Sequence, residues 1–138
     1  MKKNENAMRT LIADDDPTSR LLLQGFLKSY GSCHISVNGK DAVEAVRAAL
    51  EAGKPYDLIC LDIMMPEMDG QEALREIRRL ETAAGLAASH RLTIVMTTAL
   101  SDRESVTEAI RGKCDCFLAK PIHKAKLLHE LRKLALID

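Results

Sequence analysis

The sequence predicts an α/β fold in which a parallel β-sheet is covered by helices on both faces. Two observations indicate this fold class. Short apolar runs alternate with amphipathic stretches along the chain, as in consecutive strand–helix units. The apolar runs are almost continuously hydrophobic, which is typical of strands that are buried on both sides. The 138 residues suffice for one domain with a substantial core, and right-handed crossovers are expected between the strands.

Hydrophobic periodicity assigns the elements in order. The strands are predicted at residues 8–13, 33–37, 56–61, 92–97 and 116–119. The helices are predicted at residues 18–29, 38–52, 70–81, 103–111 and 123–136. A loop with Met64-Met65-Pro66 at its centre is expected at 63–69, and a connection rich in small residues at 82–90. Residues 1–7 are expected to form a flexible tail, so that one domain spans residues 8–138.

Residues that favour N-caps stand at several predicted helix starts. Asp16 directly precedes Pro17, and proline is favoured at the first position of a helix. Asp69 and Ser101 are each followed by glutamate three residues later, which is the spacing of a capping box. These signals support the helix starts that the periodicity predicts.

Charge and hydropathy argue against several classes of partner. The 20 Lys and Arg residues balance the 20 Asp and Glu residues, so overall charge favours neither nucleic acid nor an anionic membrane. No stretch approaches the roughly 18 apolar residues of a membrane span, and the polar start lacks a signal-peptide core. The four cysteines form no CxxC pair and are expected to be buried and reduced. A cytoplasmic protein without nucleic-acid or membrane partners is the expectation.

Polar side chains follow the predicted strands at the points where they end. The first strand ends in Asp14-Asp15-Asp16, the third in Asp62, the fourth in Thr97-Thr98-Ala99 and the fifth in Lys120-Pro121. The carboxyl ends of parallel strands share one edge of the sheet, where ligands bind in open α/β folds. Taken alone, each of these residues is ordinarily a turn, capping or solvated residue. Their joint occurrence at one edge indicates a functional site.

The residue types at this edge predict phosphoryl chemistry assisted by a metal. Clustered carboxylates repel one another, and a hard divalent cation such as Mg²⁺ removes that repulsion while accepting phosphate oxygens as ligands. Asp62 is then a nucleophile that forms an aspartyl-phosphate, with a cation from Lys120 and a hydrogen-bond donor from Thr98. Asp16 is expected to cap the first helix. Asp14 and Asp15 are therefore the preferred metal ligands among the three consecutive aspartates.

The sequence resembles the receiver domain of two-component response regulators. The resemblance is carried by LIADDDP at 11–17, DLICLDIMMPEMDG at 57–70, Thr98-Ala99 and Lys120-Pro121-Ile122, in the order found in that family. It covers residues 8–136, and its central block is highly specific. It implies a doubly wound, flavodoxin-like three-layer sandwich of five parallel strands in the order 2-1-3-4-5. It also implies a cis peptide bond before Pro121.

The resemblance further implies a phosphorylation site and a metal site that share one residue. Asp62 is implied to be the phosphorylated residue and also a ligand of Mg²⁺. The other implied ligands are Asp15, which binds the metal directly, Asp14, which binds largely through water, and the backbone carbonyl of Met64.

Residues beyond the metal site are implied to bind phosphate and to transmit the signal. Thr98 and Lys120 are implied to contact the phosphoryl group, and Thr98 and Phe117 to form the switch. The implied output face consists of residues 103–111, 116–119 and 123–136. In receivers, the residues two positions after the phosphorylated aspartate and two after the switch threonine flank the path of the hydrolytic water. Here these residues are Met64 and Leu100, and their apolar side chains predict slow loss of the phosphoryl group.

By this interpretation the chain is a single-domain receiver, a signalling phosphoacceptor and not an enzyme. Its donor is implied to be a histidine kinase or a histidine phosphotransfer domain, its output an unidentified protein target, and its state a monomer or weak dimer. A Mg²⁺-dependent phosphohydrolase would need an acid two residues after Asp62, where Met64 stands. A pseudo-receiver, which never takes phosphate, would have lost an acidic residue, the threonine or the lysine of the site. This chain retains all of them. The alternative that the chain is a fragment of a hybrid kinase or of a longer regulator stays open.

Overall fold

The computed structural model describes residues 7–86, 91–98 and 114–138, and within them five parallel strands form one sheet. The strands are β1 (Thr10–Ala13), β2 (Cys33–Ser36), β3 (Leu58–Asp62), β4 (Thr93–Thr98) and β5 (Cys116–Ala119). Their order across the sheet is β2-β1-β3-β4-β5, which confirms the predicted order. All neighbouring strands pair in parallel, so their carboxyl ends lie at one edge.

The described helices cover both faces of this sheet. They are α1 (Pro17–Leu27), α2 (Gly39–Glu51), α3 (Gly70–Ala83) and a C-terminal helix (Lys124–Lys133), with a 3₁₀ turn at Lys28–Tyr30. The predicted helix at residues 103–111 lies outside the described residues. None of the described helices combines the length and apolar character needed to cross a membrane.

Two separate hydrophobic cores make the fold a three-layer sandwich, as predicted. One core joins alternate sheet residues such as Leu11, Ile59 and Ile94 to the buried sides of α2 and α3. The other joins the intervening sheet residues to α1 and the C-terminal helix, through Leu23 and Leu127 among others. Because the strands are buried on both sides, their sequences are almost continuously apolar.

The helix starts follow the capping residues that the sequence contains. The side chain of Asp16 accepts from the backbone N–H of Thr18, with Pro17 at the first helical position, and Asp69 accepts from Glu72. Both caps were predicted. The predicted cap at Ser101 lies outside the described residues.

Helix α3 continues to Ala83, two residues beyond its predicted end. Helix α1 and the C-terminal helix end earlier than predicted because of local backbone geometry. Helix α1 ends at Leu27 instead of residue 29, since the chain tightens into the 3₁₀ turn at Lys28–Tyr30. The C-terminal helix ends at Lys133 instead of residue 136, because Ala135 adopts a left-handed φ of 61°. A helix cannot continue through that conformation.

All four cysteines are free thiols, but they are less buried than predicted. Cys60, on β3, is fully buried, and burial raises the pKa of its thiol to about 12. Cys33, Cys114 and Cys116 are half-buried, because they lie near strand starts or at the outer strands of the sheet.

Candidate functional site

Four strand ends bring the predicted site residues to one place. Asp14 directly follows β1, Asp62 and Thr98 are the last residues of β3 and β4, and Lys120 directly follows β5. The N–H of Asp14 donates to the carbonyl of Ser36, which continues the β1–β2 ladder by one residue. Asp14, Asp62 and Thr98 are all buried at these strand ends.

Three carboxylates form a cluster that suits a divalent cation. One oxygen from each of Asp14, Asp15 and Asp62 lies within 4.8 Å of the other two. Oδ1 of Asp14 accepts the N–H of Asp16 at 2.9 Å, whereas its buried Oδ2 accepts no hydrogen bond of good geometry from the described residues. Carboxylate oxygens clustered in this way are the ligands that Mg²⁺ prefers.

Lys120 places a cation against this cluster. Its Nζ lies 2.9 Å from Oδ2 of Asp14 and donates a hydrogen bond of 3.2 Å to Oδ2 of Asp62. Burial lowers the pKa of Lys120, but the two carboxylates outweigh burial and raise it overall. The ammonium group is therefore charged and held at the carboxylate of Asp62.

The surroundings of Asp62 disfavour its ionised form. Burial raises its pKa to about 6, and the charge of Asp14 adds to this rise, whereas Lys120 opposes it. A cation bound between the carboxylates would favour the ionised form of Asp62 and reverse this shift.

The connection from β3 to α3 packs closely around Asp62. The N–H of Met64 donates to Oδ1 of Asp62 at 3.3 Å, while its side chain is 71% exposed at the rim of the site. At the end of the loop, Gly70 brings the chain back against the end of β3. Its N–H donates to the carbonyl of Ile63, and a Cβ at Gly70 would lie 2.1 Å from the carbonyl oxygen of Asp62. The prediction that the carbonyl of Met64 binds a metal stays a prediction.

Thr98 and Phe117 lie on the neighbouring strands β4 and β5. Phe117 pairs with Met96 in the ladder and is half-buried against the core shared with α2 and α3. The N–H of Lys120 donates to the carbonyl of Thr98 at 2.6 Å, which ties the cation to the end of β4. The peptide bond between Lys120 and Pro121 is cis, as predicted. Leu100 lies outside the described residues.

Arg20 is a site residue that the sequence analysis missed. Its guanidinium donates to the carbonyl oxygen of Asp14 at 2.9 Å and so holds the turn that presents Asp14 and Asp15. The available signal was its position one turn into the helix that starts at Pro17, which directs a long side chain back toward the strand end.

Comparison with known proteins agrees with this geometry. The family model described as "Response regulator receiver domain" matches residues 10–132. The sensory/regulatory protein RpfC of Xanthomonas campestris is 33% identical over 129 residues, which are 94% of this chain but 17% of that protein. The chain thus spans less than a fifth of that relative. The chemotaxis protein CheY of Thermotoga maritima is 30% identical, with 92% of this chain and 97% of that protein covered.

Solved structures include several of the same fold. The receiver domain of the Arabidopsis thaliana histidine kinase CKI1, in its D1050A mutant, has a TM-score of 0.81 and 31% identity, covering 96% of this chain and 95% of that one. The same receiver domain complexed with Mg²⁺ and BeF₃⁻ has a TM-score of 0.79 and 32% identity, covering 93% and 89%.

Proposed function

The chain belongs to the response regulator receiver domain family, and we propose that it accepts a phosphoryl group on Asp62 from a phosphohistidine donor in a two-component phosphorelay. The observation that carries this proposal is the arrangement at the sheet edge. Asp62 stands beside Asp14 and Asp15, and the Nζ of Lys120 lies 3.2 Å from its carboxylate. An isolated strand-end aspartate would have neither the acidic neighbours nor the cation.

In the proposed reaction, a carboxylate oxygen of Asp62 attacks phosphorus. The bond from phosphorus to the donor histidine nitrogen breaks, and the imidazole leaves and takes up a proton at that nitrogen from solvent. Lys120 moves its ion pair from Asp62 to a phosphoryl oxygen, and the hydroxyl of Thr98 donates to another. Charge and position are thus supplied by the ends of three strands.

Mg²⁺ is the proposed cofactor. Asp14, Asp15, Asp62 and the carbonyl of Met64 would hold it, and when bound it would neutralise charge on the phosphoryl oxygens. The receiver domain of CKI1 has been crystallised with Mg²⁺ and a beryllium fluoride, which supports the same type of site here.

The proposed output begins at Thr98 and Phe117. Movement of the hydroxyl of Thr98 toward the phosphoryl group would let Phe117 reorient on the adjacent strand. The output face would then be Cys116–Ala119 and the C-terminal helix, together with residues 103–111, which lie outside the described residues. An unidentified protein would bind this face.

The remaining features of the proposal follow from the family and from composition. The donor is a histidine kinase or a histidine phosphotransfer domain, and the protein is a cytoplasmic monomer or weak dimer that binds neither nucleic acid nor membrane. It assists its own phosphorylation and dephosphorylation without being an enzyme. A receiver unit within a longer histidine kinase is the second candidate context, because this chain covers 12% of the Arabidopsis thaliana histidine kinase CKI1.

Transfer from phosphohistidine tests the proposal. Histidine kinases and phosphotransfer domains labelled with radioactive phosphate are mixed with the protein and Mg²⁺. At least one donor should lose its label to the wild type, and the label should be lost on treatment with hydroxylamine, which cleaves acyl phosphates. The Asp62→Asn protein should take no label. Label on that variant, or wild-type label that resists hydroxylamine, would contradict the proposal.

A further inference from the structure

The start of α2 lies against the loop that carries Met64. Asn38 is buried there and caps α2, because its Oδ1 accepts the N–H of Asp41 at 2.8 Å. This bond identifies the oxygen end of the amide, so Nδ2 must be the end that faces the loop. There it donates to Oε2 of Glu67 at 3.3 Å.

Two backbone features mark the same contact. A Cβ at Gly39 would lie 2.0 Å from the carbonyl oxygen of Met68, so the backbone of α2 touches the loop directly. Glu67 adopts a φ of 68°, a left-handed conformation that residues with side chains rarely adopt. The bond from Asn38 therefore reaches the loop at its strained residue.

We propose that Asn38 is a positioning residue for the metal site. Its hydrogen bond to Glu67 fixes the middle of the loop between Ile63 and Asp69, and so keeps Met64 beside Asp62. This inference rests on the proposed function, since the carbonyl of Met64 is a metal ligand only within it.

The loop is held at its start, its middle and its end. Asn38 contributes a hydrogen bond at the middle, beside the packing of Met65 and Met68 against the core. At its start, the N–H of Met64 bonds to Asp62, and at its end Gly70 packs against the carbonyl of Asp62. The bond to Glu67 lies between these two points and comes from a different element. Side chains that orient metal ligands typically change affinity by about 10- to 100-fold when removed. Glu67 is exposed and the bond is long, so we expect a smaller effect.

Mg²⁺ affinity in a double-mutant cycle tests the inference. Asn38→Ser keeps a neutral capping hydroxyl but is too short to reach Glu67, and Glu67→Ala removes the acceptor. Kd for Mg²⁺ is measured by calorimetry for the wild type, both single variants and the double variant. Asn38→Ser should raise the Kd for Mg²⁺ by about three- to tenfold when Glu67 is present and by less than about twofold when Glu67 is replaced by alanine. Thermal unfolding without metal is recorded in parallel, because a capping defect alone lowers Tm in both backgrounds.

A second variant, in which the carboxylate and the amide of this residue pair are exchanged (the swapped pair), keeps the test decisive if Asn38→Ser unfolds. In Asn38→Asp with Glu67→Gln, the carboxylate still caps α2 and accepts from the glutamine amide, and the net charge is that of the wild type. Its Kd should lie within about twofold of the wild type. An Asn38→Ser effect that is absent or equal in both backgrounds, or a folded swapped pair that does not restore Kd, would overturn the inference. A wild type that binds no Mg²⁺ and takes no phosphoryl group would instead refute the proposed function itself.

Discussion

At the scale of single residues, the site places more negative charge from carboxylates than positive charge from Lys120, and a divalent metal would neutralise the excess. Asp62 and Asp14 are buried side by side, and the one cation shown to touch both among the described residues is Lys120. Burial raises the pKa of Asp62 to about 6, and the neighbouring carboxylate contributes to the same rise. The metal-free protein is therefore destabilised when Asp62 ionises, which has a measurable pH dependence.

The free energy of unfolding of the metal-free wild type, relative to Asp62→Asn, should fall as pH rises from about 4 to about 6. In this window native Asp62, whose pKa is raised to about 6, keeps a proton that unfolded Asp62, with a pKa of 3.8, has lost. The folded state thus binds more protons, so stability declines with rising pH, by on the order of 3 kcal/mol in total. Urea unfolding at several pH values measures this difference. A difference that stays flat or rises with pH would contradict the assignment.

Met64 should make the phosphorylated form long-lived. Its apolar side chain is 71% exposed at the rim next to Asp62 and offers no hydrogen bond that could orient a water molecule toward phosphorus. Self-dephosphorylation in Mg²⁺ should be slow, and the Met64→Asn, Leu100→Glu double variant should lose phosphate faster. Met64→Leu, which stays apolar, is the control and should keep the slow rate. The idea fails if the wild-type phosphoprotein is short-lived or if the double variant decays no faster.

At the scale of elements, the connection from β3 to α3 is the most constrained part of the site. Gly70 begins α3 where the helix backbone touches the carbonyl of Asp62, and a Cβ there would lie 2.1 Å from that oxygen. Asp69 caps the same helix through the N–H of Glu72. The backbone of Asp62 and the start of α3 therefore cannot move independently.

Gly70→Ala should destabilise the protein by about 1–3 kcal/mol, because the added methyl group must displace backbone. It should also reduce phosphoryl uptake, since the displaced atoms belong to Asp62. Gly25→Ala is a matched control in α1, where a Cβ meets nothing within 4 Å, and it should stabilise by about 0.5–1 kcal/mol. Chemical unfolding of both variants checks the pair, and equal effects would argue against the close approach at Gly70.

The elements also show which boundaries a sequence can predict. The caps at Asp16 and Asp69 depend on bonds within four residues, so local spacing was enough to place them. The end of the 3₁₀ turn that follows α1 involves a distant contact instead: a Cβ at Gly31 would lie 1.9 Å from the carbonyl of Met8, two residues before β1. Buried Glu81 is another such case, because it accepts the N–H of Leu92 across a gap in sequence that no local pattern reveals.

At the scale of the whole molecule, one edge of the sheet links the acidic cluster to the proposed output face. The carbonyl of Thr98 accepts the N–H of Lys120, and β5 pairs with β4 along Cys116–Ala119. Asp14, Asp62, Thr98 and Lys120 could be predicted from the sequence because parallel strand ends must meet at one edge. The partners that orient this site could not, since their roles depend on how far side chains reach between elements.

Binding of beryllofluoride with Mg²⁺ should shift amide resonances of Cys116–Ala119 and of the C-terminal helix. The phosphate mimic biases an equilibrium between two states, and inverting a 1:99 population takes roughly 5.5 kcal/mol of differential binding. Thr98→Ala should reduce the shifts at these distant residues while leaving those next to Asp62. Mg²⁺ alone is the control. Identical spectra of the output face with and without the mimic would count against the switch.

The central claim, that Asp62 accepts a phosphoryl group with the help of a divalent metal, is tested most directly by labelling with acetyl phosphate. Intact mass is measured for the wild type with Mg²⁺, the wild type with a chelator, and Asp62→Asn with Mg²⁺. The wild type should gain the mass of one phosphoryl group only when Mg²⁺ is present, and Asp62→Asn should gain none. Labelling that survives Asp62→Asn, or that proceeds equally well without a divalent metal, would contradict the account.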